Sequence, residues 1–160
     1  MRIKNISMLA VFILISLAAG ALGSIFTANS VRTWYAMLQK PVFAPPNWLF
    51  APVWTVLYIL MGTAAYLVWE KGWKKMQVRI AVKVFIIQLV LNALWSLLFF
   101  GLNMPLLAFA EIIVLWIAIL ATIILFKKVS KAAAWLMLPY ILWVSFAAVL
   151  NFALWLINFA

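Results

Sequence analysis

Charged residues punctuate this chain and leave long apolar stretches between them. Residues 5–31, 41–69, 84–110 and 132–160 carry no charge at all. A helix needs roughly 20 apolar residues to cross a bilayer, so each stretch is long enough to span. Between residues 84 and 126 only Glu111 interrupts the apolar text, and that run is too long for one span. Gly101-Leu102-Asn103-Met104-Pro105 is the natural break, because Gly and Pro punctuate helices. The pattern predicts five helices, near 5–28, 47–69, 79–101, 104–126 and 132–157. They form a single domain over residues 1–160, an all-α integral membrane bundle of five transmembrane helices, with a proline-rich lid loop at 29–46. No tandem repeat, low-complexity tract or long linker divides it.

Composition agrees. The chain is 71% hydrophobic and 9% charged, against about 25% charged in a soluble domain. The net charge of +10 raises nucleic acid as a partner, but its distribution points elsewhere. With five spans, Arg2, Lys4, Lys71, Lys74, Lys75, Arg79, Lys83, Lys127, Lys128 and Lys131 share one side, and only Arg32 and Lys40 take the other. This bias follows the positive-inside rule. It predicts a cytoplasmic N-terminus, an external lid and an external C-terminus, with the basic residues orienting helices and touching anionic lipid. There is no cysteine and no histidine. Disulfides, His- or Cys-ligated zinc or haem, and Cys–His or Ser–His–Asp catalysis are therefore excluded.

Several faces carry candidate chemistry. Arg2 and Lys4 precede the first apolar run, and Ala19-Gly20-Ala21 mimics a signal-peptidase site; the apolar text continues to Phe26, so an uncleaved span is expected. Ser16, Gly20 and Ser24, like Ala19 and Gly23, are spaced by four, a small-residue face suited to close helix packing within the monomer or in a homodimer. Trp54, Tyr58 and Met61 share one face of the second segment. Trp69 and Trp73 flank the basic loop, where indoles anchor at a membrane interface. Gln88, Asn92 and Ser96 form a stripe with Trp95 beside it; polar groups avoid lipid, so the stripe faces inward, either to bond other helices or to line a pocket. Glu111 lies about two turns inside the fourth segment, within reach of water from the lid side. A carboxylate at mid-bilayer costs about 3 kcal/mol, which makes it a functional-site candidate; without a second acid or a histidine, a proton relay through it has little support. Pro139 predicts a kink in the fifth segment. Pro139, Trp143, Ala147 and Leu150 share a face there, an indole above a small residue. That shape suits a flat apolar ligand or plain helix packing.

The stretch Trp34–Gly62 joins the first two spans and reads WYAMLQKPVFAPPNWLFAPVWTVLYILMG. Four of the six prolines fall in it: Pro41, Pro45, Pro46 and Pro52. Proline fixes φ and removes a donor, so residues 41–46 should be stiff and extended, with Pro46 opening the next helix. The motif WY-x-x-L-x-KP-x-F-x-PP-x-W-x-F-x-PVWT-x-LY-x-x-MG closely resembles the tryptophan-rich sensory protein family, whose animal members are called translocator protein or peripheral-type benzodiazepine receptor. LNALWSLLFFG at 91–101 and PYILWVSFAAVLN at 139–151 are similar to the family's third- and fifth-helix motifs, so the resemblance covers nearly the whole chain.

The resemblance implies a five-helix bundle, commonly a homodimer, whose pocket is closed by the loop between helices one and two. It implies a membrane receptor or sensor that binds porphyrins and benzodiazepine-site ligands, with protoporphyrin IX the expected ligand and no cofactor required. Membrane lipid and a tetrapyrrole, or another flat apolar small molecule, are the expected partners. Carried over residue by residue, the pocket would include Tyr35, Ala51, Trp54, Asn92, Trp95, Trp143, Ala147 and Leu150. Light-dependent porphyrin breakdown is the alternative activity, with Trp54 and Trp143 at the implicated positions; tetrapyrrole or lipid transport is another. Arg32 or Lys40 would meet porphyrin propionates. Two departures stand out. Where animal members place a tyrosine and then a basic residue in a cholesterol-recognition pattern, this chain has Phe152 and no basic residue through Leu156. The fourth-helix acid is Glu111, where aspartate is common in the family.

Overall fold

A computed structural model describes residues 5–160; Arg2 and Lys4, two of the basic residues used above for orientation, lie outside the described residues. The fold is an all-α bundle. Its elements are α1 (Ile6–Ser30), α2 (Trp34–Met37), a 3₁₀ turn (Asn47–Leu49), α3 (Phe50–Trp69), α4 (Met76–Ser96), a π-helical turn (Leu97–Gly101), α5 (Pro105–Val129), α6 (Lys131–Leu136) and α7 (Leu138–Phe159). Five stretches are long and apolar enough to span: Ile6–Ser30, Asn47–Trp69, Met76–Gly101, Pro105–Val129 and Lys131–Phe159. The protein is thus an integral, multi-pass membrane protein. The first span packs on α3 and α4, α4 on α5, and α5 on α7, while α6 packs against α3 and α3 meets α7 only sparsely.

Local chemistry sets the helix ends. The Asn5 side chain accepts from Met8 N–H at 2.9 Å and caps α1. Glycine and proline enforce the break at Gly101–Pro105: Asn103 takes φ 55°, a left-handed conformation that asparagine tolerates, and Pro105 opens α5. Lys127 and Lys128 occupy the last turn of α5, where cations complement the exposed carbonyls. The fifth span differs from the single kinked helix expected. It breaks at Met137, whose N–H reaches Ala134 O at 3.2 Å, and restarts at Leu138 with Pro139 in the first turn. Proline has no N–H to continue the ladder, so a new helix start is the conformation that wastes no donor. In the lid, the sequence Trp34–Met37 forms the extra turn α2 before the extended Leu38.

The core is aromatic. Tyr66, Tyr140, Phe85, Phe99 and Phe126 are fully buried, whereas Leu14, Leu22, Ile25, Val56, Val90, Ile117 and Leu142 point outward. The helices are apolar all round, as expected where the solvent is hydrocarbon. Of the two expected anchors, Trp73 is exposed and Trp69 is half-buried against Phe12 and Tyr66, at 6.0 and 6.2 Å between ring centres.

Two devices fix the bundle. The first is close approach of α1 to α3. A Cβ on Gly62 would lie 2.5 Å from Ile13 Cα and 2.8 Å from Phe12 O, and one on Gly20 would overlap the Tyr58 ring. Gly23 faces Ser96 on α4. The small residues Ser16, Gly20 and Gly23 are thereby used within the monomer. The second device is the polar stripe on α4. Tyr58 donates to Asn92 Oδ1 at 2.5 Å, and Asn92 Nδ2 donates to the Tyr140 hydroxyl at 3.1 Å, so one amide ties α4 to α3 and α7. Gln88 is buried one turn below, with Nε2 4.0 Å from Met61 Sδ. On the lid side, Trp95 Nε1 donates to Asn151 Oδ1 at 3.1 Å, and Asn151 Nδ2 to Pro105 O at 2.8 Å.

Gly62→Val places side-chain atoms in the α1 backbone, which cannot yield as a side-chain tip can. Overpacking of this kind destabilises by about 1–3 kcal/mol. A lowered thermal midpoint of the purified protein in detergent is the expected result, with Thr63→Val, on the outer surface, as the near-neutral control. Asn92→Leu strands two buried hydroxyls at about 1–3 kcal/mol each. In a double-mutant cycle the effects of Asn92→Leu and Tyr58→Phe should be markedly less than additive; strict additivity would mean that the pair is not coupled.

Candidate functional site

A cavity of about 540 Å³ lies beneath the lid, between α1, α3, α4 and α7. Small residues of α1 (Gly20, Ala21, Gly23, Ser24, Thr27 and Ala28) form one wall, because only short side chains leave space beside α3. Phe50, Ala51, Trp54, Thr55 and Tyr58 of α3 form a second, Trp95 and Ser96 of α4 a third, and Trp143 and Ala147 of α7 a fourth. Val31, Arg32, Tyr35 and Asn47 close the lid end.

Of the eight residues expected at the pocket, Tyr35, Ala51, Trp54, Trp95, Trp143 and Ala147 come together on its walls. Asn92 and Leu150 do not. Asn92 is 2% exposed and spends its amide on Tyr58 and Tyr140; it acts beneath the floor, through Tyr58, whose ring lines the cavity. Leu150 is buried in the core, and Pro139 of the same α7 face lines an outer groove instead. A face spaced by i, i+4 and i+8 drifts around an α-helix, so its ends point to different neighbours. The α1 wall, Phe50 and Phe100 were missed by the sequence reading. The small-residue spacing of α1 is the signal in the sequence that bears on this wall, and it fits helix packing equally well.

The walls differ in how firmly they are held. Trp54 stacks on Tyr58 at 5.5 Å and 27° and meets Tyr140 edge-on at 6.2 Å. Trp95 is locked by its bond to Asn151 and stacks on Phe99 at 5.3 Å and 19°. Trp143 packs against Phe50 and Phe146 at 6.1 and 5.5 Å, and its indole Nε1 is buried with no protein partner among the described residues. The Tyr35 hydroxyl is likewise buried without one, the residue being 2% exposed. Burial pushes the Tyr35 phenol above its ordinary pKa, so it remains a neutral donor through the physiological range. Lys40 Nζ sits 4.7 Å from the centre of the Tyr35 ring, a cation–π contact on the lid.

This constellation offers three indoles for stacking, two hydrogen-bonding atoms lacking partners, and a guanidinium at the mouth. Buried polar groups almost always find a partner; here the indole N–H and the phenol oxygen belong to residues of the cavity wall but are themselves covered by protein, so they meet a ligand when their side chains turn toward it. Glu111, the other candidate, is not on these walls. It is buried on α5, and neither carboxylate oxygen has a hydrogen-bond partner among the described residues. A second depression of about 680 Å³ runs between α3 and α7, lined by Trp48, Pro52, Val56, Pro139, Leu142 and Trp143 among others, all apolar. It lacks the convergent polar groups of a specific site.

Comparison with known proteins accords with this architecture. The chain is 51% identical over 155 residues to the tryptophan-rich protein TspO of Archaeoglobus fulgidus, covering 96% of this chain and 99% of the relative. It is 38% identical to the translocator protein of Ovis aries, covering 90% and 86% of the two chains. It is 34% identical to the tryptophan-rich sensory protein of Cereibacter sphaeroides, covering 89% and 88%. Residues 12–156 match the TspO/MBR family, and the chain belongs to that family.

Proposed function

We propose that the protein is a membrane receptor or sensor that binds a tetrapyrrole, or a benzodiazepine-site ligand, in the cavity under the lid. One observation carries this reading: Trp54, Trp95 and Trp143 surround a single cavity, and two residues of its walls, Tyr35 and Trp143, hold a hydroxyl and an Nε1 that lack protein partners among the described residues. Indole faces stack on a flat conjugated ring. Turned toward the cavity, the two unpartnered groups would donate to acceptors on the ligand, and Arg32 at the mouth suits a carboxylate such as a propionate. A volume near 540 Å³ falls within the roughly 300–1,000 Å³ typical of small-molecule sites. The names of the relatives, a translocator protein and a sensory protein, support a sensing or transfer role in a membrane. The reading includes a cytoplasmic N-terminal side, supported by the grouping of basic residues in the connection after α3 and around the junction of α5 and α6. A homodimer belongs to it as well, formed through faces other than the small residues that α1 spends on α3 and α4.

Titration with protoporphyrin IX in the dark should quench tryptophan fluorescence saturably. Ala147→Phe fills the cavity and should weaken binding at least about tenfold, and Trp143→Phe, which removes one donor, about fivefold. Wild-type affinity in both variants would place the ligand elsewhere.

A second reading, light-dependent oxidative breakdown of bound porphyrin, is favoured by the contiguous oxidisable rings Trp54, Tyr58 and Tyr140 running from the wall into the core. Under illumination, porphyrin absorbance should bleach faster with the wild type than with Trp54→Phe/Trp143→Phe at equal occupancy. Equal rates would make the protein a bystander to the photochemistry.

A further inference from the structure

The last turn of α7 meets the lid through one side chain. Asn158 Oδ1 accepts from Gln39 N–H at 2.9 Å, and Asn158 Nδ2 donates to Gln39 O at 3.0 Å. The same nitrogen donates to Leu154 O at 2.9 Å, one turn back on its own helix. Both amide protons are therefore used, and the bond to Leu154 fixes the orientation in which the other two bonds form. A carboxamide is the side-chain group that offers one acceptor and one donor side by side, matching the N–H and C=O of a single residue. Aspartate lacks the donor, and an aliphatic side chain lacks both.

The stretch that is held has little else to fix its register. Pro41, Pro45 and Pro46 have no N–H, and the internal backbone bond here is Ala44 N–H to Pro41 O at 2.9 Å. Beyond the bond by which Pro46 O accepts from Leu49 N–H where the second span begins, the Gln39 pair is the described hydrogen bonding that ties residues 38–46 to a spanning helix, and it alone reaches α7. Ring contacts flank it, Trp34 to Phe159 at 6.5 Å and Phe43 to Phe146 at 6.3 Å, but these lack the directionality of hydrogen bonds. Gln39 precedes Lys40, whose ammonium rests over Tyr35, and Tyr35 walls the cavity. The pair lies at the exposed edge, where water can take over both bonds when they break. It can therefore open without stranding buried polar groups.

We propose that Asn158 is the latch of the lid: a positioning residue that sets how often the segment at Gln39 lifts, and through it how long a ligand remains in the cavity. The first half stands on the geometry alone; the second rests on the tetrapyrrole reading. The test compares wild type, Asn158→Ala and Asn158→Asp as full-length protein in lipid nanodiscs. Hydrogen exchange at the Gln39 amide, without ligand, should quicken about tenfold in Asn158→Ala. It should fall between the two in Asn158→Asp, which keeps the acceptor for that N–H. Exchange in α5 should stay unchanged, a pattern that general destabilisation would not give. Dissociation of protoporphyrin IX, followed by recovery of tryptophan fluorescence on dilution, should quicken about five- to twentyfold in Asn158→Ala. Unchanged exchange at Gln39 overturns the latch, and faster exchange with a wild-type dissociation rate overturns its control of residence. If the wild type binds no porphyrin, the tetrapyrrole reading fails, and the exchange measurement alone still supports or overturns the latch.

Discussion

A polar side chain inside a bilayer has no water to turn to, so it must find its partner within the protein. Asn92 is where that constraint organises the molecule. One amide takes a proton from Tyr58 and gives one to Tyr140, joining three of the five spans at a point. The pairing presses Tyr58 into the floor of the cavity and leaves Trp54 stacked above it. Below this level Gln88 Oε1, and above it Trp143 Nε1 and the Tyr35 hydroxyl, are buried without a partner among the described residues. The candidate site thus begins at the Tyr58 ring, directly above the amide that holds it.

Tyr58 reaches Asn92 only because α1 gives way. Gly20 lies against the Tyr58 ring, and Gly62, one turn beyond Tyr58 on α3, lets the α1 backbone come into contact. Small residues do two jobs along the same helix. Toward its middle, Ser16, Gly20 and Gly23 allow close packing; toward the lid, Ser24, Thr27 and Ala28 leave the packing open and become a cavity wall. Neither job requires a second subunit.

The bundle was legible from the positions of charge. Apolar runs bounded by Lys, Arg and Glu located five spans, and the Gly101–Pro105 break divided the long one, because both signals are local. The inward face of α4 was legible for a similar reason, since Gln88 and Asn92 could not face lipid. What those residues bond to was not. Asn92 meets hydroxyls 34 and 48 positions away, and sequence spacing on one helix cannot say whether an amide faces a cavity or a phenol. Asn92 consequently sits under the site rather than in it. Pro139 signals only a missing donor, which fits a bend as well as a restart; in the fold the chain restarts at Leu138, after a short α6 that packs on α3. The Asn158–Gln39 pair spans 119 positions and leaves no local trace at all.

The two depressions share Trp143, and that residue shows why size does not decide between them. The groove outside it is comparable in size, but its walls are wholly apolar and lie among lipid-facing side chains, so hydrocarbon can fill it with no loss of hydrogen bonding. The cavity inside it contains groups that hydrocarbon cannot satisfy. A fatty chain there would leave polar residues of the walls, Arg32 and Asn47 among them, without a ligand partner. A flat ligand with acceptors at its edge would not. The same indole thus borders both spaces, and only the inner one has polar residues on its walls. This difference makes the inner space selective and the outer one indifferent.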